Sequence, residues 1–200
     1  MASWRDQLNR LGGKSRFVVS RIFLHLIGAE ATPLLGVLNQ VAQAAIAAEG
    51  DLVVMGEGLA EICQGLLRYD LYWQAAANEG DVFWEEGDAA DAINQLFTDS
   101  AQRYRGVLEA VPSSELEDDL VVPVTSNLVV MLAIAYEGEV PALETNLADR
   151  VALKQGLITL ATLHDSGRLR AIQVHFCPAH LGEELTTEQI MLNFPELVPL

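Results

Sequence analysis

The sequence predicts an α+β fold: helices packed on a small antiparallel sheet of about three strands. Three observations carry that prediction. Long stretches repeat apolar residues at helical spacing. Shorter apolar runs, Leu128–Tyr136 and Leu169–Cys177, are bounded by turn residues and read as strands. At 200 residues, half of them apolar and a fifth charged, the chain is long enough to bury a core without a metal or disulfide staple.

The elements follow in order. Thr32-Pro33 is a helix start, a capping hydroxyl followed by proline at the first helical position, and Leu34, Leu35, Leu38, Val41, Ala45 and Ile46 continue the period. Gly50 ends that helix and Asp51 caps the next, which runs through Leu59, Ile62, Cys63 and Leu66. The two make an antiparallel hairpin. Gly56 and Gly58 fall inside this helical period, so they are not a dinucleotide fingerprint.

Leu71–Ala75 reads as a short aromatic strand, and Glu79, Asp81, Glu85, Glu86 and Asp88 as an acidic connection. Residues 88–110 read as a helix, and Pro112 to Asp119 as an exposed polar link. Leu128–Tyr136 reads as a strand covered on both faces that stops at Glu137-Gly138. Residues 145–164 return to the helical period. The strand Leu169–Cys177 puts Ile172, Val174 and Phe176 on one face and Gln173, His175 and Cys177 on the other. Thr186 and Gln189 form a capping box for a last short helix that Pro195 stops.

Charge divides the chain. Lys and Arg number 12 against 28 Asp and Glu, a net −16 that repels phosphate backbones and excludes sequence-independent nucleic-acid binding. Residues 1–29 hold five basic side chains against Asp6 alone, whereas the remaining residues hold seven against 27 acidic ones. The domain reading is therefore a basic amphipathic arm, 1–29, on a single acidic α+β domain, 30–200. Trp4, Arg5, Arg10, Lys14, Arg16 and Arg21 are the candidate contacts of the arm with a protein partner or an anionic membrane surface. The arm's apolar stretch Phe17–Ile27 fits core equally well. Arg21 and His25 interrupt it as a signal-peptide region. Ala31–Ala48 and Leu120–Tyr136 are uncharged but fall short of the roughly 20 predominantly apolar residues of a membrane span.

Candidate chemistry gathers at the C-terminal end. His175, Cys177 and His180 offer two imidazoles and a thiol, with His164 or an acid as a fourth zinc ligand, or a thiol with a base. The spacing matches no zinc signature, and no oxyanion glycine supports a nucleophile. Two cysteines make no disulfide framework, and Cys63, on an apolar helical stripe, reads as packed core. Asp81, Glu85, Glu86, Asp88 and Asp91 lack the alternation and glycine of a calcium loop.

Three segments resemble a known family: Leu66-Leu67-Arg68-Tyr69-Asp70-Leu71-Tyr72-Trp73, the apolar run Leu128–Tyr136 ending at Glu137-Gly138, and Ala171–Pro178 followed by Leu185-Thr186-Thr187-Glu188 and Asn193-Phe194-Pro195-Glu196-Leu197. The stretch Phe97 to Arg105 adds to them. Over about residues 34–200 the chain resembles the domain of unknown function 1517 family of cyanobacteria and chloroplasts, which includes the plant fluctuating-light acclimation protein. It departs at Gln173, His175, Phe176 and Cys177, where the family usually has Glu, Leu, Trp and Thr. The resemblance implies a photosynthesis-associated accessory protein and carries over no established enzymatic activity; the reading is of a non-enzymatic protein without a cofactor. Together with the charge division, the resemblance points to a cytoplasmic protein, peripheral on the thylakoid membrane in one version, that binds a protein partner; a further reading has the arm complete a homodimer by packing on a neighbour's acidic body. A small metal- or thiol-dependent enzyme or sensor centred on His175, Cys177 and His180 is the alternative.

Overall fold

Phe17–Ile27 is an eleven-residue run whose one formal charge is Arg21, and it forms strand β1 at the centre of a five-stranded sheet. A computed structural model describes residues 14–109, 125–180 and 183–200. The other long strands are β2 (Trp73–Phe83), β3 (Asn127–Glu137) and β4 (Leu169–Cys177), and a two-residue β5 (Val198–Pro199) completes the order β4-β3-β1-β2-β5. Every pairing is antiparallel.

The α+β class stands, but the sheet has five strands where the sequence predicts about three. β1 lies in the stretch read as an arm. β2 begins at Trp73 and continues through Asn78-Glu79-Gly80-Asp81, residues of low strand propensity that read as a connection. Pairing with β1 along its whole length overrides that propensity. Leu71 and Tyr72 belong instead to a 3-10 turn before the strand.

Among the described residues, five helices flank the sheet: α1 (Pro33–Ala47), α2 (Leu52–Arg68), α3 (Glu86–Glu109), α4 (Arg150–Leu163) and α5 (Thr187–Asn193). α1, α2 and α4 cover one face, where Ile22, Leu24 and Leu26 of β1 meet Val130, Leu132 and Ile134 of β3 and the helix leucines. α3 crosses the other face over all four long strands, with α5 beside it. Both faces are therefore dry, which is why β1 and β3 are continuous apolar runs although antiparallel strands usually alternate.

Local signals hold where the chemistry is local. Asp51 Oδ1 accepts from the Val53 and Val54 amides at 2.8 and 3.2 Å. Thr186 and Gln189 make the reciprocal capping box at 3.2 and 2.8 Å. Pro33 does open α1, but Thr32 is itself helical and its hydroxyl donates to the Thr125 carbonyl instead of capping. A Cβ on Gly58 would lie 2.6 Å from Val41, so this glycine lets α2 close on α1.

The expected division at residue 29/30 does not separate an arm from a body. β1 pairs with β2 on one side and β3 on the other, and ten of its eleven residues are buried. The strand cannot leave the sheet without dismantling it. No helix among the described residues is long and apolar enough to cross a membrane.

Gly80 sits opposite Ser20 in this pairing, and a Cβ there would lie 2.6 Å from the Val19 carbonyl oxygen and 3.1 Å from Ser20 Cα. Backbone cannot step aside as a side chain can. Gly80→Ala is expected to lower unfolding free energy by about 1–3 kcal/mol, read from the urea midpoint at unchanged m-value.

Candidate functional site

The register of the sheet stacks the polar residues of the α3 face into rows. Glu79, Arg21, Ala133 and Gln173 lie side by side, then Ala77, Phe23, Met131 and His175, then Ala75, His25, Val129 and Cys177. Every chemically versatile side chain that the sequence places on this face of β4 therefore lies beneath or beside α3.

Arg21 is 2% exposed, in the middle of the central strand. A guanidinium so buried needs partners for its donors. Nε donates to Glu79 at 2.7 Å, and Nη1 to Asp99 at 2.6 Å and to the buried Ser100 hydroxyl at 2.9 Å. Nη2 also reaches Glu79. Asp99 accepts in turn from Arg103 Nε at 2.7 Å, and Arg103 makes a two-point bond to Glu196 at 2.7 and 2.9 Å. The chain Glu79–Arg21–Asp99–Arg103–Glu196 alternates in sign and ties β2, β1, α3 and the C-terminal segment together. The guanidinium carbons of Arg21 and Arg103 lie 4.6 and 5.4 Å from the centre of the Phe23 ring, with Phe194 edge-on to it at 6.5 Å.

Burial opposes ionisation of Asp99, but the bonds from Arg21 and Arg103 outweigh it and hold the carboxyl below its ordinary range. Glu196 is held low by Arg103 against the same penalty. His25 is lowered by burial, partly offset by its 3.0 Å bond to Asn127. His175 is lowered by burial and by the charge of Arg21, and its ring tilts against Tyr104 at 6.2 Å. Burial pushes the Cys177 thiol up to about 12, and burial raises Cys63 as well.

The candidate residues are distributed as follows. His175 and Cys177 do share the α3 face, as strand alternation predicts. His180 lies beyond the end of β4 and is exposed, with its amide donating to Glu183 at 3.0 Å. His164 packs on Gly56 of α2, on the opposite side of the sheet. The structure does not bring these histidines and the thiol together, and among the described residues no group of three His, Cys, Asp or Glu is placed to hold a metal ion.

Of the contact residues assigned to the arm, Trp4, Arg5 and Arg10 lie outside the described residues. Arg21 is in the core and out of reach of a membrane or partner. Arg16 forms a two-point pair with Glu144, which also accepts from the Val140 amide at 2.7 Å. Lys14 pairs with Glu85 in water. The sequence reading missed Asp99, Ser100, Arg103 and Glu196. Two signals mark the network: one arginine inside an apolar strand run, and an acid–base pair at i, i+4 on the facing helix.

A cleft of about 640 Å³ opens between β2 and α3 on this same face. Its base is Val19, Phe83, Ala92 and Leu96, and its walls carry Glu79, Asp81, Asp88 and Asp91. At the other end of β1 a cleft of about 420 Å³ is mostly apolar, with Ile27, Met191 and Val198 exposed around it.

These features define a protein with helices on both faces of an antiparallel sheet and a buried ionic network between sheet and longest helix. The chain belongs to the family described as protein of unknown function (DUF1517), whose family model matches residues 16–200. That match starts one residue before β1. No curated protein and no solved structure matches the chain.

Two outcomes follow from this geometry. A carboxyl held low in the folded state contributes stability that is present above its unfolded pKa and lost as pH falls through the folded value. Asp99→Asn should therefore cost about 1 kcal/mol at neutral pH, a modest figure because water screens this half-exposed carboxylate. The difference from the parent protein should close as pH drops below the carboxylate range, measured by denaturant titration across pH. Both thiols should be inert to a thiol-reactive dye at pH 8 in the native protein and react promptly in denaturant.

Proposed function

We propose that this chain is a non-enzymatic accessory protein of photosynthesis, acting at or near the thylakoid surface by binding a protein partner. The photosynthetic setting comes from the family resemblance. The binding reading is supported above all by how the surface is arranged. The carboxylates of Asp81, Asp88 and Asp91 face outward in an open cleft and take no ion pair among the described residues. Exposed apolar side chains gather at the opposite end of the sheet. The imidazole of His175 and the thiol of Cys177 instead serve the packed layer under α3.

In this reading the acidic body meets a protein, and Trp4, Arg5 and Arg10 supply a second contact to an anionic lipid surface. Arg16 and Arg21 have no part in it, because their guanidiniums are spent on Glu144, Glu79 and Asp99. Flotation with phosphatidylglycerol vesicles at low salt tests the membrane contact. The parent protein is expected to float and a variant carrying Arg5→Glu and Arg10→Glu to stay behind. Equal recovery of both at the bottom of the gradient removes this contact. For the partner, a photo-cross-linker at Asp88 is expected to give a discrete adduct in cyanobacterial lysate that the same group at Glu57, on the far face, does not give.

A further inference from the structure

We propose that the cleft between α5 and the end of the sheet binds an uncharged, largely apolar small molecule that carries one hydroxyl, and that His25 Nδ1 accepts the hydrogen bond from that hydroxyl. This site is independent of the partner and membrane contacts proposed above and lies at the opposite end of β1 from the acidic cleft.

The cleft has the size of a small-molecule site: about 420 Å³, where about 300–1,000 Å³ is usual. His25 and Ile27 of β1 and Asn127 of β3 line it from the sheet, and Ile190, Met191 and Phe194 from α5 and the residue after it. With His25 neutral, none of its twelve lining residues carries a formal charge, in a chain of which a fifth is charged. An ionised ligand would lose water there and meet no counter-charge. A second recess, about 80 Å³ between α1, α2 and β4, is lined by apolar side chains alone, so nothing in it orients a ligand.

The strand register shapes this end of the sheet. Ala75 pairs with His25 and Trp73 with Leu26, so Gln74 is an extra residue, a bulge in β2. Gln74 and Ala75 both line the cleft, although neighbours on a regular strand point to opposite faces. The bulge therefore adds a polar side chain to an apolar wall.

The hydrogen bonds around His25, a residue 7% exposed, set its tautomer. Asn127 Nδ2 donates to the Leu185 carbonyl at 2.8 Å, which leaves Oδ1 as the atom 3.0 Å from His25 Nε2. An amide oxygen only accepts, so the ring proton is on Nε2. In the neutral ring Nδ1 then has a lone pair and no proton. Nδ1 makes no hydrogen bond among the described residues. Nor is it one of the partnerless atoms sealed from solvent, which are His164 Nδ1, Gln173 Oε1 and His175 Nδ1; it is open to the cleft that its ring lines. Burial favours the neutral ring over the imidazolium. The site thus presents a bare acceptor in apolar surroundings. A hydroxyl satisfies it, whereas an ether or ketone oxygen sets acceptor against acceptor.

The test titrates the isotope-labelled full chain with 4-pentylphenol and, separately, with its methyl ether, following amide shifts at pH 8. Saturable shifts are expected at residues 74–75, 127 and 187–197, with the phenol bound about five-fold more tightly than the ether. His25→Phe keeps a ring and removes the acceptor, and the folded variant is expected to bind the two probes equally. Met191→Asp, at a position 70% exposed, leaves the core intact and is expected to weaken both probes several-fold, which keeps the test decisive if the His25 variant does not fold. No saturable shift up to the solubility limit, or shifts centred on the recess between α1, α2 and β4, overturns the proposal. So does equal binding of phenol and ether by the parent protein, a phenol preference that survives in folded His25→Phe, or affinity unchanged by Met191→Asp.

Discussion

The structure depends on burying a charged guanidinium in the middle of its central strand. Arg21 lies on β1 with a neighbour strand on each side and a helix layer above, and a lone cation there would be prohibitive. Glu79 answers it from β2, and Asp99 and Ser100 answer it from α3. Those bonds fix which strand lies beside β1 and where α3 crosses it. Arg103 extends the same chain to Glu196 and so anchors the segment that leads into β5. The network that starts from one buried charge thus joins four separate parts of the chain, and both of its arginines rest against the Phe23 ring.

Given that constraint, the molecule sorts its residues by role. The face under α1, α2 and α4 is hydrocarbon, with Trp73 using its one polar atom on the Leu66 carbonyl at 3.1 Å. The face under α3 is the polar one, but its histidine and cysteine side chains are desolvated and its carboxylates at the centre are committed to arginine. On this face, the carboxylates of Asp81, Asp88 and Asp91, which take no ion pair among the described residues, lie at the rim, in the cleft beside β2. The proposed partner binding would use that rim, while the layer beneath holds sheet and helix together.

Legibility varied with the range of the interaction. The α1–α2 hairpin, the Asp51 cap and the Thr186–Gln189 box were readable because each rests on residues a few positions apart. β3 and β4 were readable because runs of apolar residues bounded by turns are strong signals at any position. β2 was not: Asn78 to Asp81 belongs to a strand only because Glu79 meets Arg21 and because glycine at 80 lets the β1 backbone approach. β1 misled in a different way. Counting Arg21 among surface cations joined it to Arg5 and Arg10, although its position inside an apolar run marked it as a core residue with partners elsewhere.

By itself the sequence determined the class of fold, the helix starts at Asp51 and Thr186, the alternation that puts His175 and Cys177 on one face, and the family resemblance. All of these rest on spacing within a short stretch or on order along the chain. The tertiary structure alone decided that residues 17–27 are the middle of the sheet, that Arg21 is spent internally, and that His164 and His180 stand apart from Cys177. Those outcomes are set by contacts between residues up to some 80 positions apart for Arg21, and no local pattern encodes which distant carboxylate a buried arginine will find.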